Sequence, residues 1–173
     1  MNICIVSGYF NPIHPGHISM MQDIKDKYPD ATLIVIVNND YQVQLKDTVP
    51  FLDEHTRCEI VQSIKNVDRV FLSIDQDKTI VQSLKHLISD HIYNNHTIRF
   101  CNGGDRKINS SETAEIRLCN DYSVEVEYGY GDNKRHSSSA IIEQAYTWIA
   151  DRKYWHRFMN DILTELNIPN KLK

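Results

Sequence analysis

The 173 residues contain no apolar run approaching the length of a membrane span. No basic flank leads into an apolar core at the N-terminus, and the four cysteines, Cys4, Cys58, Cys101 and Cys119, include no C-x-x-C pair. The first absence argues against a spanning chain and the second against a secretory signal. The third leaves neither a disulfide framework nor a zinc site supported. Cys4 and Cys101 fall in expected strands, where cysteine packs as a small hydrophobe, and a reducing, cytoplasmic setting is expected. Positive charge is not in surplus: 19 Lys+Arg against 23 Asp+Glu give a net charge of -4, so no global basic field invites nucleic acid. Internal repeats and low-complexity linkers are also missing. Hydrophobic residues at 41% and charged residues at 24% form an ordinary globular balance, and the length suits one domain whose core needs no staples.

Periodicity supplies the architecture. A short apolar strand over 2–7 precedes a helix over 17–27, which Asp26-Lys27-Tyr28-Pro29 breaks because proline ends helices. Ala31–Val37 is a continuous, β-branched run, the signature of a central parallel strand covered on both faces. A polar loop over 41–52 leads to a helix over 54–65 with an acidic first turn, Asp53-Glu54. A strand over 67–73, a helix over 78–92 and a strand over 97–101 follow. The next helix, 111–121, opens at Ser111, a capping residue. The strand 123–128 alternates polar with apolar, as at a sheet edge. A helical C-terminus over 137–166 breaks near Asp151. Strands alternating with helices argue for an α/β fold: a doubly wound, five-stranded parallel sheet with helices on both faces and a helical C-terminal extension.

The stretch Gly8-Tyr9-Phe10-Asn11-Pro12-Ile13-His14-Pro15-Gly16-His17 joins the first strand to the first helix. Pro15 suits the first helical turn, where its missing N–H is no loss. His14 then lies near the N-cap, and His17, three residues on, shares its face. Gly16 has no Cβ to block an approach. Backbone N–H groups at a helix start favour anions, so the segment suits a polyphosphate.

This His14-Pro15-Gly16-His17 segment resembles the H-x-G-H motif of the nucleotidylyltransferase superfamily. The likeness is to its cytidylyltransferase-like branch, with glycerol-3-phosphate cytidylyltransferases and heptose-phosphate adenylyltransferases. It covers about residues 1–145 and implies a Rossmann-like catalytic domain there, with 146–173 as a helical extension packed on the same domain. It implies that His14 and His17 act on the phosphates, and that Lys46, in the loop after the second strand, neutralises charge at the reacting centre. Read alone, Lys46 is a solvated lysine. Arg57, in the family's E-R-x-x-x-(I/L) position, is implied to approach the acceptor's phosphate or the nucleotide; read alone, it is an exposed helix arginine paired with a carboxylate one turn away.

Further nucleotide contacts follow from the resemblance: Gly8, Tyr9, Phe10, Asn11 and Gly16 of the first loop; Gly103, Gly104, Asp105 and Arg106 after the fourth strand; and Lys134, Arg135, Ser137, Ser138 and Ser139 before the last helices. The serine run matches the family's I-S-(S/T)-T element and equally reads as a capped helix. His136 replaces the usual apolar residue, and the arginine expected upstream is absent from Gly131-Asp132-Asn133. All these groups follow strands, and ligands of open α/β sheets bind beyond the carboxyl ends of strands.

The implied activity is transfer of an NMP from a nucleoside triphosphate, CTP favoured, to a small phosphorylated acceptor such as an alcohol or sugar phosphate, with release of pyrophosphate. Magnesium would arrive with the nucleotide, since no dedicated carboxylate cage is visible and the ion prefers phosphate and water oxygens. ATP is the alternative: Phe10-Asn11-Pro12-Ile13-His14 also resembles the nicotinate-mononucleotide enzymes. A non-catalytic nucleotide-binding module and an assembly protein with an aromatic C-terminal face are the other readings. Partners are then CTP or ATP and the acceptor, without nucleic acid or membrane. A homodimer stays open, two-fold symmetry being the commonest assembly.

Overall fold

The computed structural model describes residues 2–92, 96–103, 113–131, 137–150 and 152–166. The chain divides into two units, Met1–His136 and Ser137–Lys173. Among the described residues the first holds five strands, β1 (Asn2–Gly8), β2 (Thr32–Val37), β3 (Arg69–Leu72), β4 (Thr97–Gly103) and β5 (Glu125–Tyr130). Its helices are α1 (Pro15–Lys27), α2 (Asp40–Gln44), α3 (Glu54–Gln62), α4 (Val81–Ile92) and α5 (Ala114–Asp121). The second holds α6 (Ser138–Ala150) and α7 (Arg152–Glu165). Among the described residues no helix is long and apolar enough to cross a membrane.

The sheet order is β3-β2-β1-β4-β5 and every pairing is parallel. This is the expected doubly wound α/β fold, Rossmann-like, with its topological switch between β1 and β4. Side chains alternate across a strand, and the core divides accordingly. Cys4, Val6, Leu33, Val35 and Val37 face one way and pack with Met20, Met21 and Ile24 of α1 and Val61 of α3. Ile3, Ile5, Ile34, Ile36, Ile98 and Phe100 face the other way, against Leu84, Leu87 and Ile88 of α4 and Leu118 and Cys119 of α5. The unbroken apolar run of β2 is explained by this double cover.

Most boundaries shift by a few residues from the sequence expectation, and three of the differences have a visible cause or bear on a cap. The loop 41–52 begins with α2, capped by Asn39, whose side chain accepts from Gln42 N while Gln42 reaches back to Asn39 N. This reciprocal cap nucleates a turn too short for periodicity to reveal. Helix α4 starts at Val81 instead of 78, because Asp75 accepts from the amides of Gln82 and Ser83 (2.7 and 3.0 Å) and fixes the N-terminus there. The described cap of α5 is Thr113, accepting from Ile116 N; Ser111 lies outside the described residues.

Strand β5 is an edge strand, as its alternation suggested, and it is tied to α1 through Glu127. That carboxylate accepts from Tyr28 Oη at 2.5 Å and from Tyr130 Oη, and pairs with Lys27 Nζ at 3.1 Å. Burial alone would push the Glu127 carboxyl up, but the bonds from Tyr130, Tyr28 and Lys27 outweigh it and hold it below the ordinary value of 4.5. A depressed carboxyl adds stability above its unfolded pKa and loses it as pH falls through the folded value. Glu127→Gln is therefore expected to lower stability at pH 7 by about 1–2 kcal/mol. Its further loss on acidification to about pH 3 should be smaller than in the wild type, which urea unfolding at both pH values measures.

Candidate functional site

The carboxyl end of β1 builds the site. Phe10 adopts a left-handed φ of 48° and turns its ring back over Gly8, where a Cβ would meet Cζ at 2.9 Å. Gly8 thus makes room for a buried ring, which a bulkier residue would displace. The same ring lies edge-on to His17, centroids 4.8 Å apart. Phe10 therefore supports a histidine from below.

Asn11 precedes a cis peptide to Pro12. Its carboxamide donates to Val49 O (2.9 Å) and accepts from Phe51 N (2.7 Å). One amide thus holds the O of one residue and the N of the second after it, as a neighbouring parallel strand would.

His14 is the N-cap of α1 and Pro15 its first residue. His14 Nδ1 accepts from Gly16 N at 3.1 Å, and His17 Nδ1 accepts from His14 N at 3.3 Å. The two rings stack with centroids 3.8 Å apart and 27° between planes. A nitrogen that accepts a hydrogen bond carries no proton, so a neutral ring here bears its proton on Nε2. The helix cap thereby makes Nε2–H the donor of both imidazoles. Beside them, Gly131 (φ 72°) sits where a Cβ would meet Gly16 O at 2.9 Å, and its N–H donates to Asp23 of α1 at 2.8 Å. The end of β5 is thus pressed against the first turn of α1.

Lys46 follows α2 and places Nζ 3.9 Å from the centroid of the Tyr9 ring, a cation–π contact. Its loop is anchored from below by residues that the sequence reading did not single out. Asn39 Nδ2 donates to Ser73 O and Asp75 O (3.0 and 2.8 Å). Gln42, fully buried, donates to Asp77 O and Thr79 O (3.0 and 2.5 Å). The Asn39-x-x-Gln42 spacing, a capping-box pattern, was the signal available.

Arg57, which the resemblance implies approaches the acceptor's phosphate, is engaged by the protein's own carbonyls and a carboxylate. It is only 1% exposed. Its Nε donates to Leu52 O (3.1 Å), and its terminal nitrogens donate to Tyr9 O and Asn38 O (both 2.7 Å) and to Asp40 Oδ1 (2.6 Å). With four N–H groups engaged, the guanidinium is a strut joining the ends of β1 and β2 to the Lys46 loop.

The structure thus gathers Gly8, Tyr9, Phe10, Asn11, His14, Gly16, His17, Lys46 and Arg57 in one neighbourhood. Gly103 ends β4 across the switch point. Gly104, Asp105, Arg106, Lys134 and Arg135 lie outside the described residues. Ser137 belongs to the second unit, where its Oγ accepts from Ala140 N at 3.1 Å and caps α6; Ser138 and Ser139 form the first turn.

Two stability outcomes follow. His14→Ala should cost about 1 kcal/mol and His14→Asn, which restores an N-cap acceptor, less than about half of that. Arg57→Met should cost about 3 kcal/mol, because it strands Asp40 and three carbonyls. Equilibrium urea unfolding measures both.

Comparison with known proteins supplies the family. Over 83 residues the chain is 32% identical to the FAD synthase of Methanobrevibacter ruminantium, covering 47% of this chain and 55% of that one. Over 87 residues it is 34% identical to the FAD synthase of Thermoplasma acidophilum, covering 49% and 60%. A probable nicotinate-nucleotide adenylyltransferase of Helicobacter pylori is 30% identical over 109 residues, 60% of each chain. The chain thus spans only 55% and 60% of the two FAD synthases. The crystal structure of a lipopolysaccharide core biosynthesis protein from Thermoplasma volcanium shares the fold, with a TM-score of 0.54 at 22% identity over 74% of this chain and 95% of that one. A family profile described as cytidylyltransferase-like matches residues 5–144, the span that carries β1 to β5 and the paired histidines, and the chain belongs to that family.

Proposed function

We propose that the chain is a nucleotidylyltransferase, moving an NMP group from a nucleoside triphosphate to a phosphorylated acceptor. The observation that carries this reading is the pair of stacked imidazoles whose Nδ1 atoms are occupied by the amides of Gly16 and His14. Two fixed Nε2–H donors at a helix N-terminus suit the oxygens of a polyphosphate. A site that only bound a nucleotide would have less use for a cation such as Lys46 on the loop after β2.

In this reading an acceptor phosphate oxygen attacks the α-phosphorus in line. The new P–O bond forms as the bond from the α-phosphorus to the bridging oxygen breaks, and that electron pair leaves with pyrophosphate. His14 and His17 hold the phosphate oxygens and offset the charge that grows there. The Lys46 side chain exchanges the face of Tyr9 for the reacting phosphates. Arg57 acts by holding the histidine loop and the Lys46 loop at a fixed separation, which makes it a positioning residue. Among the described residues no three His, Cys, Asp or Glu side chains gather as metal ligands. Magnesium arriving with the nucleotide would screen the triphosphate charge beside His14, His17 and Lys46.

ATP and CTP are both carried forward as donors. The family profile is named for cytidylyl transfer, whereas one relative is named for adenylyl transfer. Thermal stabilisation by each nucleotide with magnesium identifies the donor, since a ligand of the folded state raises stability by RT ln(1 + [L]/Kd). Pyrophosphate release across a panel of phosphate monoesters then tests transfer. Lys46→Met and His17→Ala should each lower kcat by about 10²–10³-fold. Stabilisation by a nucleotide without turnover of any acceptor would make the protein a nucleotide-binding module instead.

A further inference from the structure

Lys46 stands on a stretch too short to hold a shape by itself. Helix α2 has five residues, barely more than one turn, and an isolated turn does not persist in water. The structure nevertheless specifies the backbone on both sides of the lysine. Leu45 N donates to Tyr41 O (3.0 Å), Lys46 N to Val43 O (3.1 Å) and Asp47 N to Gln44 O (2.9 Å). Asp47 then takes a left-handed φ of 57°, as chains often do where a helix ends. Thr48 Oγ1 turns back to donate to Val43 O at 3.1 Å. The lysine is thus carried on a defined turn.

Two buried carboxamides hold this turn from beneath. Gln42 Oε1 accepts from Asn38 Nδ2 (3.0 Å) and Asn39 N (3.1 Å), and its Nε2 donates to Asp77 O and Thr79 O. The amide therefore uses its full hydrogen-bonding capacity. Asn39 Nδ2 donates to Ser73 O and Asp75 O. Four carbonyls of the segment between β3 and α4 are gripped in this way. That segment is itself fixed: the Asp75 carboxylate holds the first amides of α4, and Ile80 N donates to Glu115 of α5 at 3.2 Å. Forming α2 requires only the oxygens of the reciprocal cap between Asn39 and Gln42. The two NH₂ groups do something else: they set where α2 stands relative to β3 and α4.

We infer that Asn39 and Gln42 are positioning residues for Lys46, fixing through their carboxamide donors the place from which the lysine reaches the reacting phosphates. Rotation of the lysine side chain away from Tyr9 is then the motion needed. This rests on the nucleotidylyl-transfer reading above. Neither carboxamide touches substrate; both act through the backbone that carries Lys46. A misplacement of about 1 Å in a group at the reacting centre can cost about 10²-fold in rate.

Asn39→Asp and Gln42→Glu test this, since each keeps the oxygen of the cap and removes the NH₂ donor. Pyrophosphate release is followed with magnesium and each of ATP and CTP, with glycerol 3-phosphate, ribose 5-phosphate, nicotinate mononucleotide and flavin mononucleotide as acceptors. On the acceptor that the wild type turns over, each variant should lower kcat about tenfold and leave both KM values within about twofold. In a Lys46→Met background the same changes should lower kcat by less than about twofold, because the group they position is gone. A purely structural role would give the same fall in both backgrounds. Equal falls, an unchanged kcat or a loss confined to KM would therefore overturn the inference and leave nucleotidylyl transfer standing. Hydrogen exchange of the wild type gives a readout that needs no variant to fold. The amides of Leu45, Lys46 and Asp47 should exchange at least about tenfold more slowly than in an unstructured chain, without nucleotide. Exchange at the unstructured rate would mean that no preset support exists, and would overturn the inference. Turnover of none of the four acceptors by the wild type would remove the transfer reading itself, and this inference with it.

Discussion

One buried cation organises the carboxyl edge of the sheet. Arg57 reaches from α3 to the backbone of Tyr9 after β1, Asn38 after β2 and Leu52 before its own helix, and closes on Asp40. Burying a guanidinium is unfavourable unless its donors are satisfied. That requirement works as a constraint on the surroundings: three loops must present their carbonyls to one planar fork at once. Neutral side chains of similar volume could fill the space, but none could demand that three separate backbones converge. Asn11 repeats the device on a smaller scale, substituting a side-chain amide for a missing strand. Between them they fix the histidine loop and the Lys46 loop as a single body, with His14 buried within it, His17 half-buried and Lys46 at its surface.

Much of this was readable beforehand, for identifiable reasons. The strands are legible because a doubly covered parallel sheet demands continuous β-branched runs, and Ile34–Val37 supplies one. The start of α1 is legible because Pro15 leaves few other places for the helix to begin. What escaped is what depends on partners distant in sequence. Nothing local distinguishes Arg57, buried on four hydrogen bonds, from an exposed arginine of the same helix; its partners lie up to 48 positions away. Likewise Asn11 reads as a loop asparagine until Val49 and Phe51 are brought to it. The short helix α2 escaped because five residues hold barely more than one turn, too few to show a period.

The paired histidines link chemistry to folding. Each ring accepts at Nδ1 from the first turn of α1, so the state of the site and the integrity of the helix start are the same fact seen from two sides. Phe10 packs beneath this arrangement and Gly131 presses on it from β5. A change at any of these positions reaches the imidazoles through packing, without touching a ligand.

An open sheet has two borders with unpaired amides and carbonyls, and such borders can recruit strands from other molecules. Here both are poor templates. Strand β3 is four residues long and begins with exposed Arg69. Strand β5 carries Glu125 and Glu127, shifts register against β4 between Cys101 and Gly103, and contains Gly129 at φ 89°. Shortness at one border, and charge with irregular backbone at the other, deny a passing strand the regular ladder it would need. The fold can therefore keep a strongly β-forming centre in β1 and β2 without offering it to neighbouring chains, and resistance to self-aggregation is built into the same strands that frame the site.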